Sequence, residues 1–246
     1  PCNGRFPTLI SILTMFFLGS AAGLTQSLQS ALLLTLTILL GLGMTFLVSR
    51  LLSATVLNGV PSSFTLELPP YRRPQLGKVL VRSVFDRTLF VLGRAITVAA
   101  PAGILLWVMA NVGVQGQSLL AWASGFLDPL GRFMGLDGVI LIAFILGFPA
   151  NEIVIPIIIM AYMANGSLIE MSSLSAMKDL FLAQGWTLTT AVCTLIFVLF
   201  HWPCSTTCLT IYKETKSVKW TAAAILIPTV CGVVCCSLAA FILRLF

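Results

Sequence analysis

Two short segments combine a proline, a cysteine and small polar residues beside an apolar stretch. The first is PCNGRFP at residues 1–7, and the second is PCSTTC at residues 203–208. A proline beside a cysteine interrupts a helix and leaves backbone carbonyls and a thiol at the break. Paired discontinuous segments of this kind form the substrate site of many membrane transporters. Cys2 and Cys204 are therefore candidate metal ligands, although two Pro-Cys pairs also arise by chance in a chain with 12 prolines and 7 cysteines.

One acidic residue, Glu152, lies alone in the apolar stretch 139–164. A carboxylate at membrane depth costs a few kcal/mol, so we expect it to face an ion, a proton or a charged partner. The structural alternative is an ion pair with Arg94, which lies six residues inside the preceding apolar stretch. Thiol, carbonyl and carboxylate ligands together suit a borderline divalent transition metal better than Mg²⁺ or Ca²⁺.

The single histidine, His201, directly precedes the second Pro-Cys segment. It is a candidate metal ligand, and the alternative is a hydrogen-bonded structural residue. One histidine cannot form a multi-histidine centre. Three further cysteines, at positions 231, 235 and 236, lie within the last apolar stretch, where we expect them to act as small buried hydrophobic residues.

The composition is that of a membrane protein. Of the 246 residues, 58% are hydrophobic and 9% are charged, whereas an ordinary soluble domain is about 25% charged. With 14 basic and 8 acidic residues the chain cannot cover the surface of a soluble enzyme, and its hydrophobicity excludes disorder. The basic residues flank apolar stretches, so we expect membrane lipid and no nucleic acid as a partner. Because the sequence contains neither a P-loop nor an H-E-x-x-H motif, we expect no enzymatic activity in this chain.

The apolar stretches predict the elements that position these residues. A membrane helix needs about 20 mostly apolar residues. We expect an all-α, polytopic integral membrane helical bundle with Pro-broken or re-entrant segments. The predicted apolar stretches are 8–24, 30–48, 89–112, 139–164, 187–200 and 220–243.

The connecting segments carry their own expectations. We predict a polar turn at 25–27, a loop at 58–75, an amphipathic helix at 75–88 and a kink at Pro101. The segment 115–136 is predicted to be interfacial, with a break at Asp128-Pro129, and 165–185 to be a connection with some helix. Each of these expectations rests on the composition of the segment and on its turn residues.

The stretch 139–164 either crosses the membrane or returns as a hairpin broken at Pro149 and Pro156. A full crossing places ten Lys and Arg residues on one side and four on the other, whereas a re-entrant hairpin gives eleven and three. The positive-inside rule favours the hairpin by one charge. Carbonyls freed by proline are tolerated at membrane depth where they face protein or a wet cavity, which also favours the hairpin.

We expect a single membrane domain over 1–246. Its parts are a first gate segment with two spans (1–57), a cytoplasmic loop with the amphipathic helix (58–88), a span plus the Pro-broken segment (89–164), and a connection, the second gate segment and the last two spans (165–246). No basic segment and cleavage site precede the first apolar stretch, so we expect no signal peptide and a longer parent protein.

At these residues the sequence resembles the membrane part of the ferrous iron transport protein B (FeoB) family. The resemblance rests on PCNGRFPTLI at 1–10, LELPPYRRP at 66–74, FPANEIVIP at 148–156 and FHWPCSTTCLTIYKET at 200–215. It implies a multi-pass permease for Fe²⁺ in the bacterial inner membrane, with an N-terminal cytoplasmic GTPase domain outside this chain. Fe²⁺ is then the transported ion, with no tightly bound cofactor.

The resemblance also implies roles for individual residues. The two Pro-Cys segments correspond to the two gate regions, which makes Cys2 and Cys204 the gate cysteines. Glu67 and Glu152 occupy the matching acidic positions. A homo-oligomer is compatible with the resemblance.

Three hypotheses about function follow. The first is the membrane part of a Fe²⁺ permease, in which Cys2, Cys204, Glu152 and carbonyls at the proline breaks line the path. The second is a carrier for a nucleoside or another small polar solute, because helix breaks beside a carboxylate also serve such substrates. The third is a non-conducting membrane scaffold, which predicts an ion pair between Glu152 and Arg94 and no cavity at the breaks.

Overall fold

The computed structural model describes residues 2–18, 24–55, 75–114, 116–164, 171 and 173–245, and these residues are almost entirely helical. The all-α expectation is confirmed, since the only strands described are the two-residue pair β1 (Gly113–Val114) and β2 (Gln117–Ser118). The α-helices are α1 (Phe6–Leu13), α2 (Leu24–Thr55), α3 (Leu76–Arg82), α4 (Phe90–Asn111), α5 (Leu119–Phe133), α6 (Gly138–Leu146), α7 (Val154–Tyr162), α8 (Leu174–Ala183), α9 (Leu188–Phe200), α10 (Ser205–Thr215) and α11 (Val218–Leu245).

The long apolar helices that the structure describes account for part of the predicted spans. Within the described ranges, the helices of sufficient length and apolarity are Ser27–Thr55, Leu188–Thr215 and Val218–Leu245, and the bent pair α5 and α6 makes a fourth if it is one span. The predicted span at 8–24 is described as α1 followed by a π-helical segment, Thr14–Leu18. Residues 19–23, and the predicted loop at 58–74 with Glu67, lie outside the described part of the chain.

The predicted polar turn at 25–27 is wrong, because α2 runs through it. Thr, Gln and Ser each lower helix stability by only tenths of a kcal/mol, and no glycine or proline reinforces the break. The exposed leucines of α2, such as Leu32 and Leu36, give this helix an apolar surface that suits contact with lipid.

The predicted amphipathic segment at 75–88 is confirmed as helical. It runs from α3 through the π-helical segment Ser83–Leu89 into α4, and Val79 and Leu80 are exposed.

The predicted break at Asp128-Pro129 is also wrong, since α5 continues through it. Pro129 has no N–H to donate to the carbonyl of Gly125, four residues earlier in the helix. Both residues lie on an exposed face of α5, so this free carbonyl does not become buried. The chain instead turns by 111° between α5 and α6. Gly135, at φ +75°, forms the turn, and Asp137 caps α6 by accepting from the Ile140 N–H at 2.6 Å.

The α5–α6 corner depends on a close approach at Gly138. A Cβ atom at this position would lie 1.9 Å from the Ser124 carbonyl oxygen, which is too close for any side chain. We expect Gly138→Ala to lower the free energy of unfolding by at least about 2 kcal/mol, because the two helices would have to separate. Thermal unfolding in detergent measures this change. Gly125→Ala is the control: its Cβ would meet no atom within 4 Å, so equal unfolding midpoints for the two variants would contradict the packing.

Helices α6 and α7 form an antiparallel hairpin. The hydroxyl of Tyr162, at the end of α7, donates to the carboxylate of Asp137, which caps the start of α6. Trp186 Nε1 donates to the same hydroxyl at 2.7 Å. Each arm has 9 residues, or about 13 Å, which is less than half of the roughly 30 Å hydrocarbon core. This geometry is the one that the re-entrant interpretation requires.

The hairpin tip is the segment 147–153, which contains a 3-10 turn at Asn151–Ile153. The predicted break at Pro149 is confirmed. The predicted break at Pro156 is wrong: Pro156 is the third residue of α7, in the first turn, where a backbone N–H has no helical partner to lose. Gly147 allows the close return, since a Cβ there would lie 2.6 Å from Val154 Cγ2.

Helices α9 and α10 form one discontinuous helix of 28 residues, interrupted at 201–204 as the sequence predicts. Helix α9 packs against α11 through small residues, the usual way for membrane helices to approach closely. The Cys236 thiol donates to the Cys193 carbonyl at 3.3 Å, and the Cys193 thiol donates to the Cys236 carbonyl at 3.7 Å. Gly232 lies against the Phe200 carbonyl.

Candidate functional site

Three interruptions of the helical chain meet at one place, which we call the junction: Cys2–Arg5, the hairpin tip at 147–153, and the break at 201–205. The tip and the second break are joined directly, because the Ser205 N–H donates to the Phe148 carbonyl at 2.9 Å. The Ser205 hydroxyl donates to the Pro149 carbonyl at 3.5 Å. Carbonyls freed by the proline breaks therefore find donors within the protein, as burial in a membrane requires.

Asn151 connects the hairpin tip to both Pro-Cys segments. Its side chain is buried, with Nδ2 donating to Cys2 Sγ at 3.7 Å and Oδ1 lying 3.3 Å from His201 Nε2. The sequence analysis did not single out Asn151. The sequence signal for Asn151 is its side-chain amide, which lies at the break of the otherwise apolar stretch 139–164.

His201 is buried, with 2% of its surface exposed. Its Nδ1 lies 2.9 Å from the Phe197 carbonyl and 3.0 Å from the Val198 carbonyl, so this nitrogen carries a proton and donates. Its ring centroid is 4.9 Å from that of Phe144. His201 thus closes the last turn of α9 and lies next to Asn151 in the hairpin tip.

Arg5, in the first Pro-Cys segment, donates hydrogen bonds to the end of α9 and to the break that follows it. Its Nη1 donates to the Leu199 carbonyl at 2.9 Å, and its Nη2 donates to the carbonyls of His201 at 3.0 Å and Trp202 at 2.9 Å. A cation at the C-terminal end of α9 is favoured by the helix dipole. The sequence analysis missed this role, which depends on a contact between residues almost 200 positions apart.

Cys2 and Cys204 both lie near the Arg5 guanidinium. Cys2 is exposed, and Cys204 is partly exposed at the N-cap position of α10. The Cys204 sulfur lies 3.0 Å from the Thr206 hydroxyl and 3.2 Å from the Thr207 hydroxyl. Both thiols are thus open to a ligand at the junction.

Glu152 lies at the tip beside the first segment, where a Cβ on Gly4 would be 3.3 Å from Glu152 Cγ. Its side chain is exposed within this chain. It forms no ion pair with any side chain that the structure describes. The side chain of Arg94 is outside the described part, so the predicted pair stays a prediction.

Among the described residues, no three His, Cys, Asp or Glu side chains converge in a way that could hold a metal ion. The described chain therefore offers a small number of ligands at the junction rather than a closed cage.

A cavity of about 560 Å³ opens beside the junction. Arg5, His201 and Pro203 line it on the junction side, and the hydroxyls of Thr45 and Ser49 in α2 line it on the other. Helix α11 closes it with apolar residues and Cys231. The cavity lies next to the second break, and most of its lining is apolar.

Comparison with known proteins relates this architecture to a family. Residues 92–218 match the Gate model, described as nucleoside recognition, and residues 34–86 match the model of the ferrous iron transport protein B C terminus. The chain is 30% identical over 239 residues to the Fe(2+) transporter FeoB of Staphylococcus aureus (strain MSSA476), which covers 93% of the chain and 33% of that relative.

Two further relatives have the same description. The FeoB of a Synechocystis species is 29% identical over 232 residues, covering 93% of the chain and 35% of the relative. That of Leptospira interrogans is 25% identical over 244 residues, covering 89% and 34%. The chain spans about a third of the length of these relatives, and no solved structure matches it. With both models matched along its length, the chain belongs to the ferrous iron transport protein B (FeoB) family and carries the Gate and C-terminal regions of that family.

Proposed function

We propose that this chain is the membrane permease portion of a ferrous iron uptake transporter and that Fe²⁺ passes through the junction. The observation that carries the proposal is the meeting of the hairpin tip with both Pro-Cys segments, joined by Asn151 between Cys2 and His201. Discontinuous helices that meet in this way form ion sites in transporters. The relatives are named as Fe(2+) transporters, which supports iron as the substrate.

In this proposal Cys2 and Cys204 supply the sulfur ligands, and Glu152 supplies a carboxylate at the tip. Sulfur ligands select a borderline transition metal against Mg²⁺ and Ca²⁺. His201 takes part by donating from Nδ1 to the carbonyls at the end of α9 and by lying next to Asn151, and a direct ligand role would use its Nε2. Glu67, outside the described residues, remains a proposed acidic ligand on the strength of the family likeness.

The partners proposed for the whole transporter are Fe²⁺, membrane lipid and an N-terminal GTPase domain. The proposed location is the bacterial inner membrane. A GTPase domain would supply the energy coupling, since this sequence has no P-loop of its own.

A second candidate function is transport of a nucleoside, favoured by the description of the matching Gate model and by the cavity beside the junction. Flux into proteoliposomes separates the two substrates. We expect unlabelled Fe²⁺, but not adenosine or uridine, to compete with labelled Fe²⁺. Competition by nucleosides, or nucleoside flux insensitive to Fe²⁺, would reject the iron proposal.

The scaffold hypothesis predicts no cavity at the breaks, and the cavity lined by His201 and Pro203 counts against it.

The exposed position of Glu152 gives a prediction that separates transport from folding. We expect Glu152→Gln to change the free energy of unfolding by less than about 0.5 kcal/mol, because the side chain makes no ion pair with a described residue. Iron uptake should nevertheless fall, since the amide is a poorer cation ligand than a carboxylate. Uptake and thermal unfolding are measured on the same preparations.

Glu214→Gln, in the last turn of α10, is the matched control, because it removes the same charge from an exposed position away from the tip. Normal uptake in Glu152→Gln would reject the ligand role of this carboxylate. Failure of the protein to accumulate would instead favour the structural pair.

A further inference from the structure

The guanidinium of Arg5 fills a group of converging backbone oxygens. The carbonyls of Leu199, His201 and Trp202 accept its hydrogen bonds at 2.9, 3.0 and 2.9 Å. We call these three carbonyls the cradle. The Leu199 carbonyl lacks a helical donor because Pro203 has no N–H, and the carbonyls of His201 and Trp202 lie beyond the end of α9. The negative end of the α9 dipole adds to their attraction for a positive charge.

Unwound carbonyls at the C-terminal end of a half-helix are an arrangement that binds cations in membrane transporters. We propose that the cradle is a cation-binding site and that Arg5 is a tethered cation which occupies and closes it. Carbonyl oxygens are hard ligands, so the cations that fit the cradle are oxygen-preferring ions such as Na⁺ or Ca²⁺. This proposal concerns a site distinct from the thiols and does not depend on iron being the transported ion.

The bonding of Arg5 itself supports the proposal. Its Nε is buried and has no hydrogen-bond partner in the described structure, although a buried donor of a charged group normally finds one. No described carboxylate forms an ion pair with the guanidinium. Among the described residues, the charge of Arg5 is therefore met by the carbonyl dipoles of the cradle, the same groups that would meet a metal cation.

The cavity beside the junction gives a cation a way to reach the cradle. Arg5 and two residues of the cradle, Leu199 and His201, line its wall, and Thr45 and Ser49 of α2 are also among its lining residues. A partly hydrated ion in this cavity meets a positive charge while Arg5 is in place. When the guanidinium leaves, the same ion meets three carbonyl oxygens.

Movement of Arg5 also affects the first gate segment. Arg5 is the last residue of the 3-10 turn Asn3–Arg5, and the Arg5 N–H donates to the Cys2 carbonyl at 3.0 Å. Withdrawal of the side chain from the cradle thus acts on the short turn that holds Cys2. Arg5 occupies the cradle in the structure described here, and its release makes the three carbonyl oxygens available.

The test replaces the tethered cation by a neutral side chain. In purified Arg5→Gln protein, thermal unfolding is measured in choline chloride and in NaCl or CaCl₂ at equal ionic strength. We expect the unfolding midpoint to rise saturably by about 5 °C with Na⁺ or Ca²⁺, because the ion fills the vacated cradle. Wild-type protein should show no such rise. Arg50→Gln, which removes an exposed arginine of α2, is the matched control and should behave as wild type.

The proposal is overturned if the midpoint of Arg5→Gln does not respond to either metal cation, or if wild type and Arg50→Gln respond equally. If Arg5→Gln protein does not survive purification in choline chloride, recovery of folded protein in NaCl or CaCl₂ supports the proposal. Aggregation in all three salts overturns it. Since none of these readouts uses iron, failure here leaves the result of the iron flux assay unaffected.

Discussion

Iron uptake should fall by about tenfold or more when either Cys2 or Cys204 is replaced by serine, because each substitution removes a sulfur ligand from the proposed path. Cys2 is exposed and Cys204 is partly exposed, and both lie near the Arg5 guanidinium. Serine has nearly the same shape as cysteine but is a hard and weakly basic ligand. Anaerobic uptake of labelled Fe²⁺, in cells without their own ferrous iron transport, measures the effect.

Cys235→Ser is the matched control, since Cys235 is a partly exposed cysteine in the middle of α11, far from the breaks in sequence. Its uptake should equal that of wild type. The amount of each protein in the membrane must be the same for the comparison to hold. Wild-type uptake in both gate variants would remove the thiols from the mechanism.

The largest loss of stability is expected for His201→Ala. The substitution removes a ring packed against Phe144, the donor to the last turn of α9 and the contact with Asn151. We expect the free energy of unfolding to fall by about 3 kcal/mol, because a buried aromatic ring is lost and two carbonyls lose a donor. Thermal unfolding in detergent gives the value.

Leu209→Ala, at an exposed position of α10, is the comparison and should cost less than about 0.5 kcal/mol. The result also separates the two interpretations of His201. A well-folded His201→Ala protein that has lost iron binding would mean that the imidazole is a ligand. A destabilised protein with the normal affinity for iron would mean that the imidazole holds the junction together.

The sequence was sufficient to predict the helix breaks at Pro149 and Pro203, because proline lacks the N–H that a helix interior needs. The same reasoning failed at Pro129, where the freed carbonyl lies on an exposed face, and at Pro156, which lies in the first turn of α7. The effect of a proline thus depends on its position in the helix and on the side to which its carbonyl points. Neither can be read from the apolar pattern alone.

The convergence of the three interruptions could not be predicted, because it depends on contacts between distant residues. Asn151 stands out in the sequence as an amide in an apolar stretch, but the partners of Asn151 and Arg5 are seen only in the folded chain, where both residues contact the end of α9 and the break after it. The family resemblance correctly marked the segments that contain them. It did not indicate that a guanidinium occupies the carbonyls which the sequence suggested as cation ligands.

The central claim is that one cation meets both Pro-Cys segments at the junction. The most direct measurement is alkylation of the cysteines, followed by mass spectrometry, during an anaerobic titration of the purified transporter with Fe²⁺. We predict that the alkylation rates of Cys2 and Cys204 fall together with the same midpoint, while that of Cys235 stays constant. Unchanged rates at both gate cysteines in saturating Fe²⁺, or protection of only one of them, would contradict the shared site.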